Sequence, residues 1–151
     1  MAFQVAQLIS YNELAQLCGL NPETVEKYIN ILEKAFIVYR LPAFSRNLRN
    51  ELKKSYKIYF YDNGLRNAVI NQFNQANLRN DISQLWENWF ITERLKFLNN
   101  HQKFASRYFW RTLAQQEVDY VEDANGKISA FECKWSVKSK NYISRAFSSA
   151  Y

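Results

Sequence analysis

Three observations predict an α+β chain built in two units. Two capped helical patterns fill the first 34 residues, a long amphipathic stretch runs from Ile82 to Leu98, and an Asn125-Gly126 turn joins two strand-forming runs near the C-terminus. Helices and strands are thus segregated along the chain rather than alternating regularly, the pattern of an α+β protein.

Ser10 and Glu13 form a capping box, and Leu14, Leu17 and Cys18 recur at helical spacing until Gly19 ends the helix. Asn21 then offers an N-cap and Pro22 suits the first helical position. Val25, Ile29, Leu32 and Phe36 carry the period onward, so a second helix is expected to run to about Lys34. Two helices joined by a tight Gly-containing turn make a helix-turn-helix. The strands expected over Phe36 to Leu41 and Lys57 to Tyr61 make a wing, giving a winged helix-turn-helix unit over residues 1–66. The second helix carries Glu23, Glu26 and Glu33 against Lys27 and Lys34, a poor surface for a phosphate backbone. Asn21, Thr24 and Asn30 remain for base contacts, with a packing or protein-contact role equally open.

Asp62-Asn63-Gly64 closes the wing strand, and the polar stretch from Asn67 to Asn80 leads into a second unit over residues 67–151. In the helix that follows, Ile82, Leu85, Trp86, Trp89, Phe90 and Phe97 form a broad apolar stripe. Projected at 100° per residue, Glu93 falls inside that stripe and Glu87 on its flank. A carboxylate on a buried face needs a base, a backbone donor or a metal as partner.

Strands are expected over Arg107 to Arg111, Glu117 to Val121 and Lys127 to Trp135. Asn-Gly favours a type I′ turn, whose two central residues need positive φ. Centring the turn there pairs Ala124 with Lys127, Asp119 with Glu132 and Glu117 with Lys134, and all four acidic and basic side chains share one face. A four-residue loop shifts the pairing by two and keeps that face. Carboxylates directly opposed at roughly 5 Å repel unless a positive charge lies between them. A divalent cation supplies it: Asp119 and Glu132 are hard oxygen ligands of the kind that hold Mg²⁺ for phosphodiester hydrolysis, and Lys134 then positions or activates the attacking water. The alternative is an exposed ladder in which Lys134 bridges Glu117, Asp119 and Glu132, and residue types alone favour that ladder.

At 151 residues, with 48% hydrophobic and 23% charged side chains, the composition is that of a globular protein able to bury a core. The longest apolar run, Ala35 to Tyr39, is far short of the roughly 20 residues that span a bilayer. No signal-peptide pattern opens the sequence, so a cytoplasmic protein without membrane contact is expected. Cys18 and Cys133 fit no zinc or disulfide spacing and are expected to be buried thiols. Net charge is +6. Arg40, Arg46, Arg49, Lys53, Lys54 and Lys57 stand against Glu51 alone, and Lys134, Lys138, Lys140 and Arg145 against Glu132. Clustered bases favour an anionic partner, and Arg46, Arg49, Lys53, Lys54, Lys138 and Lys140 are the candidate nucleic-acid contacts, with solvated charged faces as the equal alternative.

Asp119, a turn, then Glu132-Cys133-Lys134 resembles the PD-(D/E)XK nuclease pattern, and the acid of Leu85-Trp86-Glu87 fits the helix before it. The chain as a whole resembles the C-terminal region that follows the ATPase module in bacterial and archaeal AAA-type ATPases. The resemblance is carried by Leu14-Ala15 with Thr24-Val25, Arg40-Leu41-Pro42 with Ser45-Arg46-Asn47, Tyr59 to Leu65, Trp86-Glu87-Asn88, Tyr108 to Thr112, Glu117-Val118-Asp119 and Glu132-Cys133-Lys134. It implies a partial restriction-endonuclease-like α/β domain after the winged unit. Glu87, Asp119 and Glu132 become the implied metal ligands, with Glu93 as substitute for Glu87, and Asp119, Glu132 and Lys134 the implied catalytic set. The implied function is a DNA-binding region with Mg²⁺-dependent deoxyribonuclease activity, or else a non-catalytic nuclease-fold module that holds DNA or protein. No GxxxxGK(S/T) loop is present, so the ATPase module is expected N-terminal to this region. The nuclease-like domain is expected to be C-terminally truncated at Tyr151, soon after Glu132-Cys133-Lys134, with its sheet edge incomplete and covered by a second copy in a homodimer.

Overall fold

The computed structural model describes residues 1–45, 55–136 and 143–151. The chain is α+β, with helices α1 (Tyr11–Cys18), α2 (Pro22–Lys34), α3 (Asn63–Val69), α4 (Ile82–Asn100) and α5 (Arg145–Ala150). Strands β1 (Val38–Pro42) and β2 (Tyr56–Phe60) make one antiparallel sheet, and β3 (Ser106–Arg111), β4 (Glu117–Ala124) and β5 (Lys127–Phe131) a second, in the order β3-β4-β5. No helix among the described residues is long and apolar enough to cross a membrane.

Local chemistry sets the first elements. The Ser10 hydroxyl accepts from the Glu13 amide at 3.3 Å, and Gly19 takes φ +63° to close α1. The Asn21 side chain accepts from the Thr24 amide at 2.7 Å, with Pro22 opening α2. Leu14, Ala15, Val25 and Ile29 of these helices pack on Val38, Ile58 and Phe60 of the first sheet. Cys18 is exposed rather than buried: it ends α1 on the rim of an open groove lined by Leu14 and by Val25, Tyr28 and Ile29 of α2.

A helix stands where a polar lead-out was expected. Asp62 accepts from the Leu65 amide at 2.7 Å and so starts α3. That helix carries the buried Arg66, which donates to the Ala2 carbonyl at 2.8 Å and pairs with Asp81. A second core cluster then joins the two sheets: Ala6, Leu41 and Tyr59 pack with Ile91, Phe109 and Tyr120.

The buried face of α4 differs from the expected stripe. Leu85, Asn88, Ile91, Thr92, Leu95 and Leu98 face inward, while Trp89 is 48% exposed. Counting only apolar residues missed Asn88 and Thr92, which are buried because β2 supplies their partners. The Asn88 amide accepts from the Phe60 N–H at 2.7 Å and donates to its carbonyl at 3.0 Å, and Thr92 donates to the same carbonyl at 3.2 Å. This rotation moves Glu93 out to solvent, 45% exposed and paired with Lys96 at 2.6 Å, so it does not substitute for Glu87.

Candidate carboxylate site

The hairpin forms as its turn chemistry requires. Asn125 and Gly126 take φ +56° and +84°, and the register runs from Ala124↔Lys127 to Tyr120↔Phe131. One step further, Asp119 meets the departing chain through its carboxylate: Oδ2 accepts from the Cys133 amide at 2.7 Å. The strand ends at Phe131 rather than Trp135, because this side-chain bond takes the amide that a longer ladder would use. Glu132 and Lys134 therefore leave the strand paired with each other at 3.2 Å.

The expected face is thus divided. Glu117 does not bridge to Lys134; its carboxylate pairs with Arg111 at 3.1 Å and with Lys57 at 2.5 Å. Lys57, on β2, is 2% exposed and also donates to Glu87 at 3.0 Å. Glu87 faces the site from α4, its Oε1 accepting from the Tyr59 hydroxyl at 2.7 Å as well. The clustering of bases along the sequence places Lys57 in a charged segment and not in a core. Its position in Tyr56-Lys57-Ile58-Tyr59 leaves no mark of burial, since the partners lie 30 and 60 residues away. Arg40, from the same basic segment, is similarly engaged, donating to Glu33, Asn30 and Tyr11.

Proton affinities follow the crowding. Burial pushes the Glu87 carboxyl up, Lys57 opposes it, and Asp119 adds to it, leaving a pKa of about 7. Burial and Asp119 raise Glu132, against the pull of Lys134. Burial alone would lower Lys57, but Glu87 and Glu117 more than reverse it and hold the ammonium charged. Burial followed by the neighbouring carboxylates pushes the Cys133 thiol up.

Glu87, Asp119, Glu132 and Lys134 thus sense one another across α4, β4 and the segment after β5. Protein hydrogen bonds gather on one oxygen of each carboxylate: Oε1 of Glu87, Oδ2 of Asp119 and Oε2 of Glu132. Carboxylate oxygens are hard donors of the type that suits Mg²⁺. As they stand, no three such side chains among the described residues are gathered closely enough to hold a metal ion. The expected nucleic-acid contacts Arg46, Arg49, Lys53, Lys54, Lys138 and Lys140 lie outside the described residues.

Fold and site together define an α+β protein with a lysine-linked carboxylate cluster assembled from both sheets and α4. The chain belongs to the family described as domain of unknown function DUF8612, whose model matches residues 1–76. A second family model, domain of unknown function DUF4143, matches residues 83–151. The chain is 29% identical over 152 aligned residues to the uncharacterized proteins Rv2008c of Mycobacterium tuberculosis and Mb2031c of Mycobacterium bovis. That match covers 99% of this chain but 33% of each relative, so the chain spans about a third of their length. No solved structure matches it.

Proposed function

We propose that this chain is a nucleic-acid-binding region of an AAA-type ATPase family protein, combining a winged helix-turn-helix unit with a nuclease-like carboxylate site that acts on phosphodiesters. The observation that carries the reading is the 2.7 Å bond from the Cys133 amide to Asp119, which joins Asp119 to Glu132-Cys133-Lys134 in PD-(D/E)XK order, with Lys134 paired to Glu132 at 3.2 Å. Bound Mg²⁺ would supply Lewis acidity at the phosphate. Asp119, fixed by the Cys133 amide, and Glu132 would hold the cation, and Glu87 would have to close in from α4 to complete the set. Lys134, 50% exposed and kept charged by Glu132, orients water and steadies charge developing on the phosphate. The bases at Arg46, Arg49, Lys53, Lys54, Lys138 and Lys140 grip the backbone.

A divalent-metal titration coupled to a DNA cleavage assay tests this. Asp119→Ala and Glu132→Ala are expected to abolish metal-dependent cleavage; cleavage that is absent from a full-length protein, or indifferent to both changes, sinks the enzyme reading. Lys57 favours a second reading, a non-catalytic module that keeps the fold and binds DNA or protein, because its ammonium already neutralises Glu87 and Glu117. In that case salt-dependent DNA binding survives while added Mg²⁺ leaves the protein's melting temperature unchanged.

A further inference from the structure

We propose that Trp86, Trp89 and Trp135 form a stacking platform for the bases of single-stranded nucleic acid, beside the carboxylate site. This rests on the nucleic-acid reading above and names the form of nucleic acid that the site takes. Trp86 and Trp89 stack with ring centroids 4.9 Å apart and planes 25° from parallel, and Trp135 closes on Trp86 at 5.5 Å and 58°. The outer two rings are open to solvent, Trp89 by 48% and Trp135 by 50%, whereas the chain's remaining tryptophan, Trp110, is 2% exposed.

Large aromatic side chains in mutual contact are normally drawn into a core, so a cluster of three with two rings half exposed marks an interaction surface. The composition of the chain supplies the ligand's chemistry. Its net charge is +6, which favours an anionic partner, and an open indole face stacks on a nucleobase, so the two together match a polyanion that carries bases. Stacking needs unpaired bases, because those of a duplex present their faces only to each other. Trp89 and Trp135 each contact Trp86 and each keep about half of their surface open, so both offer area on which bases stack.

Three of the four tryptophans report on this surface, so intrinsic fluorescence reads it directly. The whole chain is titrated in EDTA with a dodecamer of thymidylate and with a duplex of equal length. EDTA separates binding from metal-dependent cleavage. The single strand is expected to quench saturably and to bind more tightly than the duplex. Trp135→Leu and Trp89→Leu are each expected to weaken binding about tenfold, and Trp135→Phe, which retains an aromatic face, by less. Far-ultraviolet circular dichroism and the thermal midpoint check that each variant is folded. Equal affinity of Trp135→Leu and Trp135→Phe overturns the platform. So does DNA binding without tryptophan quenching, which leaves the nucleic-acid reading standing. Absence of binding to either DNA overturns both, and burial of the tryptophans by self-association, seen in sedimentation, assigns the surface to a second copy instead.

Discussion

Lys57 lies in a basic segment and Glu87 on the flank of a helix, yet each is buried and each neutralises the other. Removing one partner of a buried pair leaves the other charge without compensation. Lys57→Met is therefore expected to cost on the order of 3–5 kcal/mol in denaturant unfolding, since it strands Glu87 and leaves Glu117 with Arg111 alone. The pH dependence of Glu87 has a definite sign. Its folded pKa of about 7 exceeds the ordinary 4.5, so between those values the folded chain holds a proton that the unfolded chain releases. Stability from this group is thus fully present below about 4.5 and falls as pH rises toward 7. Glu87→Gln should flatten that slope, by roughly 3 kcal/mol between pH 4.5 and 7.5, in urea midpoints measured across the range.

The elements that sequence foretold are those whose signals are local. Ser10, Gly19, Asn21 and Pro22 mark α1 and α2 within a few residues, and Asn125-Gly126 sets the β4-β5 register. Ser10→Ala is accordingly expected to cost about 1 kcal/mol by thermal melting, the usual loss for an N-cap. What sequence concealed depends on distant partners. The face of α4 is turned by Asn88 and Thr92, polar residues that an apolar count discards, and their partner is the backbone of β2. Asn88 bonds both the N–H and the carbonyl of Phe60, as a neighbouring strand would, and so finishes the open end of a two-stranded sheet. Asn88→Leu keeps the volume but removes those partners; a loss of roughly 2–4 kcal/mol is expected in chemical denaturation, with hydrogen exchange at the Phe60 amide rising first.

Across the molecule, Leu41 and Tyr59 share a core with Ile91, Phe109 and Tyr120, and Lys57 ties β2 to α4 and β4 through charge. Neither set of strands buries these groups by itself. Heat unfolding is therefore expected to be a single cooperative transition, with calorimetric and van't Hoff enthalpies equal; two resolved transitions would show that the shared core contributes little. The candidate site inherits the same dependence: Glu87 comes from α4, Lys57 from β2, and Asp119 from β4. Its residue types were legible in Asp119 and Glu132-Cys133-Lys134, but the buried lysine that links them was not, because no pattern along the chain encodes a contact between remote strands.

The contrast between the two cysteines gives a practical handle on this protein. Thiolate is the reactive form, and Cys133 is both enclosed and held in its thiol form, while Cys18 stands open at the end of α1. Maleimide dyes should therefore attach at a single point in the native chain without prior mutagenesis. A fluorophore placed there reports on the helical end of the molecule, and slow appearance of a second adduct at Cys133 clocks the opening of the carboxylate site.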